Sequence, residues 1–295
     1  MTTKALRNFA ISAGTGRQRK SMWRRRTNLR LVVGAALLAG TSIMTLGAPF
    51  FAPYSPDFYD LDAILMPPGP AHLFGTDEIG RDVLSRVIWG GRPILFIVFF
   101  STILSLLIGV TLGFMSSANN LANTALSRLA DIQLSIPSLV FALLAIAVAG
   151  SQMSNLVVVL ALAAWPLHFR VVRAHALAVK KLPYFEASRL AGSSLFYRVM
   201  RNYLPGVLPL LAVTTSVTAT VTALSATGLS YLGLGVSVPD WGRMIAISKG
   251  QLSDAAWASG FPALALILFL LGIQLIADAL SDRVRGRGGA PHERR

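Results

Sequence analysis

The chain has 295 residues, of which 54% are apolar and only 14% charged. Soluble domains carry about a quarter charged residues, so mean hydropathy of +0.59 points to a bilayer instead. The net charge of +14 lies in separate segments alternating with charge-free runs. That placement follows the rule that keeps basic loops in the cytoplasm and argues against nucleic-acid binding. No Cys occurs, which excludes disulfides, thiolate metal sites and Cys nucleophiles.

Residues 1–30 hold nine Lys/Arg and no acid, and read as a cytoplasmic tail able to touch anionic headgroups. Leu31 to Phe51 is charge-free and is expected to be a retained first span, too long for a signal-peptide core. Pro53, Pro56, Pro67, Pro68 and Pro70 then mark an irregular external segment reaching Arg92. It is acidic, with Asp57, Asp60, Asp62, Asp77, Glu78 and Asp82 against Arg81, Arg86 and Arg92.

A second span is expected over Pro93 to Met115, ending at Ser116 to Asn120. Arg128 and Asp131 fall near a cytoplasmic turn, three residues apart, as in a helical ion pair. The third span is Ile132 to Gly150, kinked by Pro137. After the turn Ser151 to Asn155, Leu156 to Val172 forms the fourth.

The segment 170–203 carries seven Lys/Arg against the single acid Glu186. Leu204 to Ala226 is the fifth span, residues 227–254 a second external loop, and Ala255 to Ala277 the sixth span. Spans need about 20 apolar residues, and these runs meet that length. The expected fold is an all-α integral membrane protein with six spans. It divides into the tail 1–30, a transmembrane domain 31–281 and a cytoplasmic tail 282–295, with both termini cytoplasmic.

Within the basic loop, Pro183 suits the first turn of a new helix and Glu186 would lie beside its positive end. By residues alone, Glu186 and Gly192 are either an ordinary helix acid and helix end, or an exposed anchor with a break behind it. Glu186-Ala187-Ser188-Arg189-Leu190-Ala191-Gly192, with Leu204-Pro205 twelve residues after the Gly, resembles the cytoplasmic "EAA" loop of ABC importer permeases. Ser188 stands where the usual motif has a second Ala. The resemblance implies two short helices that dock into the ATP-binding subunit, with Glu186, Ala187, Ser188, Gly192, Leu204 and Pro205 as the coupling residues.

His72 to Arg86 contains Gly75-Thr76-Asp77 and Gly80-Arg81-Asp82, which read as tight turns with Asp capping backbone amides. The acids lack the alternating spacing of a calcium loop, and no metal site is expected. The stretch resembles the signature of the dipeptide/oligopeptide/nickel branch of those permeases, specifically the "C" partner of the heterodimer. Leu229 to Gly235, Pro239, Trp241-Gly242 and Phe261-Pro262 carry the same resemblance, which runs from Leu31 to Asp282. Ala226 departs from it, since relatives often have Glu there, and the range of solutes follows that position if it shapes the path.

His72, His168, His175 and His292 are scattered without metal-ligand spacing and read as structural or interfacial. No GxxxxGK[ST] motif and no nucleophile–base arrangement occurs, so the chain is expected to be no enzyme and to need no cofactor. The resemblance implies a type I ABC importer permease in the bacterial inner membrane. Its partners would be a homologous permease subunit, two ATP-binding subunits and a periplasmic or lipid-anchored solute-binding protein. The solute would be a peptide, or a nickel chelate, glutathione or opine. The rival is an ion-coupled secondary transporter, which would place charges in mid-span or show broken helices in two repeats.

Overall fold

The computed structural model describes residues 27–117 and 119–288. Most of the tail 1–30 and the end of the tail 282–295 lie outside them. Among the described residues, five helices are long and apolar enough to cross a membrane, or six when one bent pair is counted as a single span.

Helix α1 (Thr27–Leu46) is followed by the single turn α2 (Ala48–Phe51). An irregular stretch leads to α3 (Val83–Ser116), so ten residues assigned to the external segment are helical. Asp82 starts this helix by accepting from Ser85 N at 2.8 Å. Pro93 lies inside it, where neighbouring helices tolerate the freed carbonyl. The charges that hid this start are satisfied. Arg92 donates to the last carbonyls of α1, Thr45 O at 3.0 Å and Leu46 O at 2.7 Å.

The third span differs most from expectation. Helix α4 (Asn120–Ser135) and α5 (Ser138–Ala149) meet at a 90° bend. Ile136 and Pro137 form a complete break, because Pro137 restricts its predecessor to extended backbone. Asp131 on α4 pairs with Arg170 at 2.6 Å, not with Arg128. Asn123 similarly accepts from Arg173 at 2.6 Å. These two rungs lay α4 antiparallel along the next helix.

That helix is α6 (Met153–Val179), which outruns the expected fourth span by seven residues beyond Val172. It crosses α3 where Gly109 and Gly113 sit four residues apart. A Cβ at Gly109 would lie 2.5 Å from His168 Cβ, and one at Gly113 would lie 2.7 Å from Val172 Cβ. Small residues at this spacing let two backbones touch in lipid, where packing replaces hydrophobic drive.

Two short helices, α7 (Pro183–Leu190) and α8 (Leu195–Arg198), precede a π-turn at Val199–Tyr203. Helix α9 (Leu204–Tyr231) follows. Helix α10 (Trp241–Ser248) lies across the other end of the bundle. Its buried Trp241 indole donates to Val87 O at 2.8 Å.

Helix α11 (Ala256–Gly288) runs on through residues read as a tail. It packs against α1, where the backbones of Gly34 and Gly272 approach closely. Arg30 and Asp282 close that pair at 3.3 Å. Buried apolar side chains from α3, α5, α6 and α9 make one core cluster. Others from α3, α9, α10 and α11 make a second.

Candidate functional site

The residues from His72 to Arg86 form a knot at the end of the bundle where α3 begins. Gly75 and Gly80 both have positive φ, +71° and +76°. At Gly80 no side chain fits at all, since its Cβ would fall 1.7 Å from Asp60 O. Between them Asp77 accepts from the amides of Ile79 (3.1 Å) and Arg81 (3.0 Å). Its other oxygen takes Arg81 Nε at 2.7 Å, with Arg86 Nε at 3.6 Å.

Thr76 is buried, donating its hydroxyl to Ala63 O and accepting from Met66 N at 2.8 Å. Asp82 divides its oxygens between His72 Nδ1 (3.0 Å) and Ser85 (2.7 Å to Oγ). Arg86 donates to Pro56 O at 3.0 Å, and Trp257 of α11 to Thr76 O at 3.1 Å. The structure thus brings Gly75, Thr76, Asp77, Gly80, Arg81 and Asp82 together. Every carboxylate oxygen of Asp77 and Asp82 faces a donor of this chain, which makes the cluster a clasp between the irregular segment, α3 and α11.

The second constellation lies at the opposite end, on α7. Phe185 is buried against Ala176, Val179 and Tyr203, its ring 5.2 Å from that of Tyr203. Phe114 of α3 closes the stack on Tyr203 at 5.6 Å. Lys180 donates to Ser117 O, tying the turn before α7 to the end of α3. One face of α7 is therefore fastened to the ends of α3, α6 and α9.

The other face is open. Glu186 and Ala187 are exposed, as are the apolar Leu182, Tyr184 and Leu190, the last to 84%. Glu186 lies in the first turn and makes no ion pair among the described residues. Gly192 ends the helix with φ +73°. Around it Ser193 N bonds Ser188 O at 3.2 Å, the six-to-one bond of a glycine-terminated helix. The Ser188 and Ser193 hydroxyls meet at 2.8 Å, so the Ser that replaces Ala in the motif reinforces the turn.

Leu204 is half-buried against Val172, Val207 and Leu211, while Pro205 lies in the first turn of α9, where its missing N–H costs nothing. An exposed apolar patch with one acid at its centre, on a helix anchored from behind, is the geometry of a docking surface.

Residues 105–287 match the family described as the binding-protein-dependent transport system inner membrane component. The chain belongs to that family. Residues 18–68 match the N-terminal transmembrane domain of oligopeptide transport permease C. A Brucella suis protein named as a peptide permease is 35% identical over 92% of both chains. A di/tripeptide transport system permease of Pseudomonas aeruginosa is 37% identical, covering 80% of this chain and 81% of its own. A glutathione transport system permease of Pectobacterium atrosepticum is 31% identical over 89% of both.

The fold is shared with the inward-facing MetNI methionine ABC transporter, at TM-score 0.55 and 21% identity over 69% of this chain and 96% of that one. The protein is accordingly an integral membrane permease subunit of an ATP-driven importer, with the type I importer fold. Permeases of this family work with other permease and ATP-binding subunits.

Some contacts were invisible in the sequence. His168 is wholly buried, within 3.5 Å of Ser105 on α3 and 3.3 Å of Thr215 on α9. It joins three helices through partners more than forty residues away, which no local spacing announces. Ala226 is also informative. It is packed among Ile97, Ala142, Ile146 and Leu160, inside the subunit. Its effect on solute range would have to pass through that packing.

Proposed function

We propose that this subunit forms half of the path for a peptide or a closely related solute, paired with a homologous permease as a heterodimer. Two ATP-binding subunits dock below the pair, one of them on α7, and a periplasmic or lipid-anchored binding protein delivers solute at the end carrying the Gly75–Asp82 knot. In this reading Glu186, Ala187, Ser188, Gly192, Leu204 and Pro205 couple nucleotide-driven closure to α6 and α9. The transmembrane domain is 31–281, between tails 1–30 and 282–295, in the bacterial inner membrane. The observation that carries it is the two-faced α7, with Phe185 buried beneath and Glu186 and Leu190 exposed above. Peptide or glutathione transport named for three relatives supports the solute class.

The orientation follows from charge, the seven basic residues of 170–203 holding that loop and both termini in the cytoplasm. Because the chain has no native Cys, single replacements report cleanly. In intact spheroplasts a membrane-impermeant thiol reagent should label Leu73→Cys from outside. It should reach Ala187→Cys only after permeabilisation, and the reverse pattern would overturn the topology.

Energy is supplied by the partners. Purified alone, the chain should neither hydrolyse ATP nor move solute, with or without a proton or sodium gradient. Adding the ATP-binding subunits, the partner permease and the binding protein should restore both activities together. The charge-free spans Ile132 to Phe169 and Asn202 to Pro239 offer no acid for a coupling ion. Gradient-driven uptake by the isolated subunit in liposomes would favour a secondary transporter.

A further inference from the structure

The broken third span has a polar recess beside it. Helix α5 starts at Pro137 with no side-chain cap. The first bond around its start is Phe141 N to Pro137 O, so the amides of Ser138, Leu139 and Val140 stand ahead of it with their positive ends forward. At 1.5 Å per residue, twelve residues place this start about 18 Å from the Gly150 end, well inside a core about 30 Å thick. Irregular backbone at that depth is tolerated only where protein covers it or water reaches it. Ser135, Ile136 and Pro137 are exposed on this subunit, so a partner or water, and not lipid, has to cover this break.

A recess of about 190 Å³ opens there between α4, α5, α6 and α9, lined among others by Gln133, Ser138, Thr218, Thr222 and Ser225. Thr218 is wholly buried, and its hydroxyl has no partner. Its neighbours on α9 behave differently. Thr214, Ser216 and Thr220 each return their hydroxyl to the helix, to Leu210 O, Ala212 O and Ser216 O. Hydroxyls on membrane helices ordinarily settle in that way, and a buried one left unpaired costs about 1–3 kcal/mol. Thr222 and Ser225 extend the row along the same helix face.

We propose that this recess receives the terminal carboxylate of a short peptide during its passage, held by the free amides at the start of α5 and by the hydroxyls of Thr218, Thr222 and Ser225. A helix start and neutral hydroxyls attract an anion, and no Lys, Arg, Asp or Glu lines the recess. Without an ion pair the hold is weak, as a path requires of a site that must also release. The assignment rests on the reading of this chain as a peptide-path subunit and adds the group it contacts.

The test uses the complete transporter in liposomes, with tri-alanine and tri-alanine amide as probes. Thr218→Val should slow tri-alanine uptake about five-fold or more, the loss of one such hydrogen bond, and Thr218→Ser should restore it. Ser225→Cys, in a chain without other thiols, should react with a water-soluble thiol reagent. Tri-alanine should protect it and the amide should not. Uptake with no labelling, or equal protection by acid and amide, overturns the recess and leaves the path reading standing. A wild-type complex that takes up no tri-alanine overturns the peptide reading itself. If Thr218→Val fails to assemble, the labelling of Ser225→Cys decides.

Discussion

Replacing Glu186 with Lys is expected to abolish ATP-driven uptake while leaving the protein inserted and folded. Glu186 is exposed and pairs with no cation among the described residues, so reversing its charge removes no internal contact. The fold is held instead by Phe185 beneath it, in contact with Tyr203. On the proposed reading the cost therefore falls on the docked partner. Loss of a desolvated charge contact at an interface costs about 2–5 kcal/mol, on the order of thirty-fold or more in affinity.

Gly192→Leu should act on the same step by another route. Nothing lies within 4 Å of a Cβ there, but φ is +73°, which costs a branched L-residue about 1–2 kcal/mol. Gly192→Asn, whose side chain tolerates that region, should be much milder. The measurements are transport and co-purification of the ATP-binding subunits. Near-normal uptake by Glu186→Lys would remove α7 from the coupling role.

The second large effect concerns assembly of the subunit. Gly109→Leu should leave little folded protein. The first added atom alone would sit 2.5 Å from His168 Cβ and 2.8 Å from Trp165 O. Helix α3 must then separate from α6, and His168 loses its approach to Ser105 and Thr215. Overpacking costs about 1–3 kcal/mol in well-packed cores, and leaving the buried imidazole unpaired adds about 1–3 more. Gly260→Leu is the control, because α11 has nothing within 4 Å of that position. A single monodisperse chromatographic peak and unchanged melting for Gly109→Leu would show that the crossing is less tight than described.

These two cases also show what could be read from residues alone. The spans were legible because charge is so costly in lipid that its absence marks them, and α7 was legible through Pro183 and Gly192. Span boundaries were less so. Helix α3 starts ten residues before its charge-free run, since Arg86 and Arg92 find carbonyls on other segments. Pro137 signalled a kink, yet whether a proline bends or breaks a helix depends on neighbours that the sequence does not name. The true partner of Asp131 lies on another helix, thirty-nine residues on. Of the two motif regions, the spacing around Gly75 to Asp82 indicated turns, but not that Asp60 and Trp257 close them.

That clasp bears on how the protein can move. Trp257 and Arg86 bolt the irregular segment to α11 and α3, while Trp241 bolts α10 to α3. A helix bundle fastened this way at one end has little freedom to splay its own helices. On the proposed reading, opening and shutting the path then comes from the two halves tilting against each other as whole bodies, with α7 as the handle on each.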